Sequence, residues 1–346
     1  MRRLPWTLAT AALAVGGGYW GAKTLAPRMG GREAPRSEAT VPLTAQAAAA
    51  PAGGDAGASP AAGGATDEPL LLAVLDTLER RPNIAARLVQ KVRLDDNRLT
   101  GEGQFWQQGI GNQRRTRWDL KTQVAGEMAF VSQIYDGDAV WTDRKLPGSR
   151  SVTRIDMEER RVELESWADA DRQGRAPLGE GMPELLARGG MSQLVASLVR
   201  SFAFGAHQPV NHSERAMLAL VGHWRPEQLA RVWPGASAAG DGNWPAHLPH
   251  HVLVYIEPRE RFPYVVEYRG AEEAALAQSL EGFSMAREPL ARLEFIDVQF
   301  AATMPADVFH FVPPDHNFTD VTHRVLEELR PPATEVRAAR REGGWR

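Results

Sequence analysis

Short segments in which polar and apolar residues alternate run from residue 88 to residue 157, and this pattern constrains the fold more than any other feature. In the segment Leu88–Val92, every second side chain falls on the same face of an extended strand. Turn signals such as Gly137 and the pair Pro147-Gly148 separate the segments. The pattern predicts a meander of strands at Leu88–Val92, Leu99–Trp106, Thr116–Leu120, Ala129–Tyr135, Ala139–Asp143 and Ser151–Met157.

The second of these segments contains two glycines on one face. Gly101 and Gly103 share that face with Leu99 and Phe105, and the four residues alternate with Thr100, Glu102, Gln104 and Trp106. Glycine inside a strand has no side chain to pack, and it often marks a bend or the close approach of another group. We therefore expect this strand to be bent sharply or to be passed closely by a neighbour.

Helical periodicity occurs on both sides of the meander. Apolar residues recur at helical spacing in the segment Glu68–Arg81, which ends before Pro82, and in the segment Met191–Phe204. Shorter helices are predicted at Arg225–Val232 and Val321–Leu329. The remaining predicted strands are Val252–Ile256, Tyr264–Tyr268, Leu293–Phe300 and a last short strand between Pro305 and Pro313.

Strands at regular spacing with few helices between them favour an α+β domain with a strongly curved antiparallel sheet. Closure of the sheet into an all-β barrel is the alternative. We expect the domain to extend over residues 69–330, followed by a disordered basic tail at 331–346.

The composition narrows the function classes. Hydrophobic residues make up 43% of the chain and charged residues 24%, which is enough for a real core. The net charge of −3 gives no support to nucleic-acid binding, which favours a basic surface. The absence of cysteine excludes disulfides, thiolate metal sites and a cysteine nucleophile.

The N-terminal segment, residues 1–29, is predicted to direct export. Arg2 and Arg3 precede a stretch from Leu4 to Ala22 that has no charged residue. As a helix of about 1.5 Å per residue, that stretch would extend roughly 28 Å, close to the thickness of a bilayer core. An uncleaved anchor facing the periplasm and a cleaved signal peptide both fit this pattern. Residues 30–68 are rich in Ala, Pro and Gly and are predicted to form a disordered linker.

Two distant stretches carry a resemblance to a known family. The first contains Gln90-Lys91-Val92, then Gly101 and Gly103 before Phe105-Trp106, then Arg117-Trp118-Asp119-Leu120, then Asp136-Gly137 followed by Trp141. The second is Phe309-His310-Phe311-Val312-Pro313-Pro314. In this order the motifs resemble the LolA-like family, whose periplasmic members shuttle acylated lipoproteins between bacterial membranes. The resemblance spans about Pro69 to Leu329.

The resemblance implies an incomplete β-barrel whose open side is covered by helices, with a hydrophobic cavity for acyl chains. The helices Glu68–Arg81 and Met191–Phe204 would then form the lid. The family's carriers hold the lid closed with an arginine soon after the Gly-x-Gly strand, so Arg114 or Arg115 is the candidate latch. The candidate cavity residues are Leu88, Gln90, Val92, Phe105, Trp106, Trp118, Phe130, Tyr135, Val140, Trp141, Leu194, Leu198 and Phe202.

The chain also departs from the family's pattern. The stretch 107–115 is longer than in the carriers, Glu158–Glu180 is an insertion, and the soluble carriers have no membrane tether. These differences bear on the lipoprotein-shuttling role more than on the fold.

The predicted function is the binding of a lipid or an acylated protein at the cell envelope, without catalysis, cofactor or metal. The alternative is an envelope sensor that binds another protein through the same fold. His247, His250 and His251, with Asp241, have some metal-ligand character, but we interpret them as residues of a solvated loop. The chain contains no Gly-x-Ser-x-Gly or phosphate-loop motif, so an enzyme ranks third.

Overall fold

The computed structural model describes residues 67–94, 97–124, 126–162, 185–233, 244–246, 248–271, 288–305 and 307–329. The predicted N-terminal segment, the linker before residue 67 and the basic tail lie outside these ranges, as do Asp241 and His247. Within the described ranges, no helix combines the length and the hydrophobicity needed to cross a membrane.

The described residues form a single sheet of thirteen strands. The strands are β1 (Asn83–Leu94), β2 (Asn97–Gln108), β3 (Arg115–Val124), β4 (Glu127–Tyr135), β5 (Ala139–Leu146), β6 (Ser149–Asp156), β7 (Phe202–Phe204), β8 (Gln208–His212), β9 (Arg215–Trp224), β10 (His251–Glu257), β11 (Phe262–Arg269), β12 (Ala291–Phe300) and β13 (Thr319–Asp320).

The strand order is β13-β6-β5-β4-β3-β2-β1-β12-β11-β10-β9-β7, with β8 also paired to β9. The sheet is curved and unclosed, so the all-β barrel alternative does not apply. Its pairs are antiparallel except at one edge, where β13 runs parallel to β6. This architecture confirms the predicted α+β fold class, with its incomplete barrel and helical cover.

Strand register assigns every side chain of β1–β6 to one of two faces, because residues directly opposite each other point the same way. One row of paired positions runs Leu88, Gly103, Leu120, Val131 and Arg144. We call the face that bears this row the concave face and the other the convex face.

Two helices cover the concave face, and we call them the lid. They are α1 (Glu68–Arg80) and α2 (Leu185–Ser201). Their buried side chains share one core with those of the sheet, at Leu71, Val74, Leu78, Met191, Leu194, Val195 and Leu198. Full burial of such a side chain contributes about 1.5–3 kcal/mol each, so the lid is held mainly by apolar packing.

Two smaller helices lie outside the lid, besides a short helical stretch at residues 157–162. They are α3 (Pro226–Val232) and α4 (Thr322–Leu329). Val321 and Val325 at the start of α4 pack on Tyr135, Val140 and Ile155 in a second, separate core.

The predicted helix Met191–Phe204 is wrong at its C-terminal end. The helix ends at Ser201, and Phe202–Phe204 forms β7, which pairs with β9. Phe202 and Phe204 are both buried. A helix and a strand would each bury these two residues, so their hydrophobicity did not distinguish the two structures. The strands β8 and β9 were not predicted.

The predicted strand between Pro305 and Pro313 is also wrong. The residues there form turns, and the last strand is Thr319–Asp320. Residues 302–305 and 307–320, which we call the strap, run from the end of β12 across the convex face to β6. Arg117 Nη1 donates to the carbonyl oxygen of Val308 at 2.8 Å. The Trp141 ring lies 5.5 Å from Phe311 and 5.1 Å from Phe318, measured between ring centroids.

The expected close approach at the Gly-x-Gly strand is present. A Cβ atom placed on Gly103 would lie 1.7 Å from the backbone oxygen of Asp119 on β3. A Cβ on Gly101 would lie 3.0 Å from Leu120 Cδ1. The backbone of β3 therefore occupies the space that any side chain at Gly103 would need.

Replacing Gly103 with alanine is expected to force β2 and β3 apart, since the contact is with backbone that cannot rotate away. Overpacking of this kind costs about 1–3 kcal/mol, and the melting temperature should fall by roughly 6 °C. Gly205→Ala is the control, because nothing lies within 4 Å of its Cβ position. Equal melting temperatures for the two variants in a thermal scan would contradict this account of β2.

Candidate ligand cavity and its helical lid

A small cavity opens on the concave face where β1, β3, β4 and β12 present their side chains. Its volume is about 40 Å³. Its lining consists of Leu88, Gln90, Trp118, Leu120, Val131, Gln133 and Leu293. A site for a drug-sized molecule measures roughly 300–1,000 Å³, whereas a single water occupies about 30 Å³ of liquid. The cavity therefore has room for a small chemical group and not for an acyl chain.

The cavity lies beside the two glycines of β2. On the concave face, Gly103 is directly opposite Leu88 on β1 and Leu120 on β3. Gly101 is directly opposite Gln90 in the next row. β3 fills the space over both glycines, with the Asp119 backbone at Gly103 and the Leu120 side chain at Gly101, so the cavity lies next to the glycines and is not lined by them.

The deeper interior is filled by aromatic rings. Phe105 lies 4.7 Å from Trp118 and 6.1 Å from Phe295 between ring centroids. Phe262 lies 5.7 Å from Phe295. Offset and edge-on contacts of this type add about 0.5–1.5 kcal/mol per pair beyond the area that is buried. An acyl chain could enter only where lid or sheet contacts were displaced.

Two polar groups in the cavity wall have no hydrogen-bond partner among the described residues. They are the amide nitrogen Nε2 of Gln90 and the indole nitrogen Nε1 of Trp118. Gln90 is 4% exposed and Trp118 is 8% exposed, so water in the bulk solvent does not satisfy them. A buried unsatisfied donor costs about 1–3 kcal/mol, and native structures rarely retain one without a reason.

A third such group lies on the neighbouring strand. Arg144 is directly opposite Val131, which lines the cavity, and therefore points to the same face. Its Nε atom is buried and has no hydrogen-bond partner, and Arg144 makes no ion pair within the described ranges. Burial lowers the pKa of the Arg144 guanidinium from its ordinary value.

Arg114 joins the two lid helices. Its Nη1 donates to the hydroxyl oxygen of Ser192 on α2, and its Nη2 donates to the carbonyl oxygen of Glu79 on α1 at 3.0 Å. Arg114 is buried, and burial lowers its pKa while the Glu79 carboxylate opposes that shift. One cation therefore satisfies an orphan carbonyl at the end of α1 and holds α2 beside it.

Gln107 makes a second link of the same kind, which the sequence did not reveal. The backbone N–H of Met191 donates to Gln107 Oε1 at 3.3 Å, and Gln107 Nε2 donates to the carbonyl oxygen of Arg81 at 3.4 Å. Gln107 is fully buried on the concave face of β2. A polar residue at an inward position was the only available signal.

Gly190 interrupts α2 beside this link. Its φ of 58° and ψ of −142° are not helical. A Cβ atom at this position would lie 2.3 Å from Gln107 Oε1. Glycine is therefore required here both by the backbone conformation and by the contact with Gln107.

The structure places the predicted cavity residues in three different environments. Leu88, Gln90 and Trp118 line the cavity. The main core contains four others without exposing them to the cavity, namely Phe105, Leu194, Leu198 and Phe202. Away from that core, Val92 packs with Ala291, and Tyr135 and Val140 pack under α4.

Three predicted cavity residues lie on the wrong face. Trp106, Phe130 and Trp141 point to the convex face, as their register with Arg117, Lys121 and Ile134 shows. Trp106 and Phe130 line a surface groove there, and Trp141 packs against the strap. Of the two latch candidates, Arg115 is exposed, and Arg114 is the one that contacts the lid.

The histidines do not form the predicted solvated loop. His251 is fully buried in β10, and its ring lies 5.8 Å from that of His250 and 6.0 Å from that of His223. Burial, with His250, His223 and Arg269 nearby, lowers the pKa of His251 to about 3. In the part of the chain that the structure describes, no three His, Asp or Glu residues are arranged to hold a metal ion.

Comparison with known proteins gives structural likenesses alone. No family model matches the chain. No curated protein matches it either. Among solved structures, a crystal structure of MucB is 10% identical with a TM-score of 0.36, and the match covers 71% of this chain and 63% of that one. The chain thus spans less than two thirds of the length of MucB.

Two further solved structures are similar to the chain. A putative outer membrane lipoprotein-sorting protein domain from Vibrio parahaemolyticus is 11% identical with a TM-score of 0.29, covering 70% of this chain and 95% of that one. Lipoprotein LppX from Mycobacterium tuberculosis is 12% identical with a TM-score of 0.30, covering 66% and 93%. Lipoprotein sorting is the class of protein that the sequence resemblance named. At these values the likeness carries no inference about function.

Replacing Arg114 with methionine is expected to loosen the lid, because both of its helix contacts are lost. Hydrogen bonds from a charged donor contribute about 1.5–3 kcal/mol each, partly offset here by the relieved burial of the charge, so we expect a loss of about 2 kcal/mol in urea unfolding. Hydrogen exchange should rise at the end of α1 and around Ser192 in α2. Arg115→Met is the matched control, and equal effects of the two substitutions would contradict the role of Arg114.

Proposed function

We propose that this protein binds a long hydrophobic chain, either of a lipid or of an acylated protein, between the concave face and the lid. The observation that carries the proposal is the construction of the lid. Two helices bury an apolar face against the sheet, and Arg114 and Gln107 tie them together at one end. The proposed activity is binding, with no covalent step.

Binding of this kind exchanges apolar contacts between the lid and the sheet for apolar contacts with the ligand. An acyl chain of a dozen carbons would contribute roughly 10 kcal/mol through burial of its CH₂ groups, before ordering costs. The cavity of about 40 Å³ cannot receive it while the lid is closed. The chain must therefore replace contacts that α1 and α2 make in the closed state, and ligand affinity depends on the free energy of lid opening.

The position of Gly190 supports opening at that point. Residue 190 is where α2 departs from helical geometry, directly beside the contacts of Gln107 and Arg114. Loss of those contacts would leave the apolar packing of α2 as the main force that keeps the lid closed. We place this binding at the cell envelope because the N-terminal segment has the pattern of an export signal or anchor.

A second candidate is a regulatory module that binds another protein through the same fold. The filled aromatic interior favours it, because a protein partner needs no cavity. The strap offers apolar side chains to such a partner, since Val312 is 56% exposed and Phe318 is 40% exposed. Pull-down of a partner by lipid-free protein would distinguish this candidate from the first.

Uptake of a fluorescent fatty acid by delipidated protein tests the first candidate. If Arg114 contributes about 2 kcal/mol to lid closure, Arg114→Met should lower the apparent Kd by roughly 30-fold. Arg115→Met should bind as the unaltered protein does. Absence of uptake by all three proteins, together with no lipid in a mass-spectrometric extract of the purified protein, would reject lipid binding.

A further inference from the structure

The cavity wall contains hydrogen-bond donors in an otherwise apolar surface. Gln90 Nε2 and Trp118 Nε1 are both buried, both line the cavity, and neither has a hydrogen-bond partner within the described ranges. Proteins bury polar groups with a partner in the great majority of cases. A partner that enters from outside the chain would have to supply acceptor atoms.

Charged side chains are rare on the concave face of β1–β6. At the concave positions of β1–β6, register leaves two charged side chains, Arg144 and Glu127. Glu127 is the first residue of β4 and is exposed. It precedes Val131, the residue of β4 that lies opposite Arg144. Asp143 is adjacent to Arg144 in sequence but faces the convex side, where it pairs with Arg150. Arg144 is thus a partly buried cation without a carboxylate partner in the described strands.

Arg144 lies on the strand next to the cavity wall and is not itself one of the lining residues. Neighbouring strands lie about 4.8 Å apart, and Arg144 is directly opposite Val131, a cavity residue. The guanidinium group stays protonated at neutral pH even when it is buried. Its planar set of donors matches carboxylate and phosphate oxygens.

We propose that Gln90, Trp118 and Arg144 form a headgroup site for a carboxylate or phosphate at the end of the bound hydrophobic chain. This inference rests on the proposed function and specifies its ligand as an anionic amphiphile. The cavity of about 40 Å³ suits such a group and excludes the chain itself. The chain would run from the cavity past Trp118 to the surface that Phe105 and the lid share.

Ligands that differ only in their headgroup test the proposal on the full chain. The probes are dodecanoate, dodecyl phosphate and dodecanol, measured by calorimetry with the unaltered protein and with Arg144→Gln. We expect at least tenfold tighter binding of one or both anions than of dodecanol. Arg144→Gln should abolish that preference and leave dodecanol binding unchanged. Comparison of the two anions shows which headgroup the site takes.

Lys145→Gln is the matched control, because Lys145 is the exposed neighbour on the convex face. It should retain the preference. Arg144→Gln should melt no lower than the unaltered protein, since it removes a buried cation that has no ion pair in the described ranges, so loss of preference cannot be attributed to unfolding. The Trp118 indole N–H resonance, identified with Trp118→Phe, should shift when an anion binds.

The outcomes separate the two proposals. Equal binding of dodecanol and both anions, or a preference that survives in Arg144→Gln, would overturn the headgroup site while lipid binding stands. An unshifted indole resonance would indicate that ordered water alone occupies the cavity and would also overturn it. Failure of all three probes to bind would instead reject the proposed function, and the headgroup site with it.

Discussion

Burial of the concave face is the constraint on which the rest of this structure depends. A curved sheet with apolar side chains on its inner surface cannot leave that surface in water, and α1 and α2 provide the cover. The curvature is possible because the backbone of β3 occupies the space above Gly103. The glycine pair therefore permits the curvature of the sheet, and the curved apolar face requires the lid as a cover. A ligand could reach this face only if the lid opened.

Polar groups are rare inside this core, and their positions follow a logic. Arg114 and Gln107 lie at the edge of the core, where their side chains donate hydrogen bonds to carbonyl oxygens at the end of α1. Gln90, Trp118 and Arg144 stand lower on the same wall and satisfy nothing that the structure describes. The first pair contributes to stability in the closed state, whereas the second set lowers it. Side chains that lower stability without structural benefit are typical of binding sites.

The sequence predicted the fold class and most of the strands because period-two alternation is a local property. It also located α1, the Gly-x-Gly contact and the loop that contains Arg114. It did not show which of Arg114 and Arg115 contacts the lid, because the conformation of the loop before β3 decides where each side chain points. Trp106, Phe130 and Trp141 were assigned to the wrong face for a related reason. Alternation identifies two faces but does not say which is inside, and the strap packs on Trp141 of the convex face.

One of the elements that the sequence missed depends on a distant contact. β13 exists because residues 319–320 meet β6, more than 160 positions earlier in the chain. β8 and β9, in contrast, form a local hairpin in which His212 lies opposite Arg215, and β8 was missed because it is short and mostly exposed. Gln90 and Trp118 of the cavity wall come from β1 and β3, and Arg144 comes from β5, so only the register of the finished sheet places them on one face.

The position of β1 between β2 and β12 has a kinetic consequence. The hairpins from β1 to β6 need only nearby residues, but the other side of β1 stays open until residues 291–300 arrive. Assembly of the second half must then close a loop of roughly two hundred residues, and pairing across such separations is slow. During folding, the first half would therefore present an unpaired, apolar strand edge for some time. Chaperones that shield such edges are expected to raise the yield of native protein.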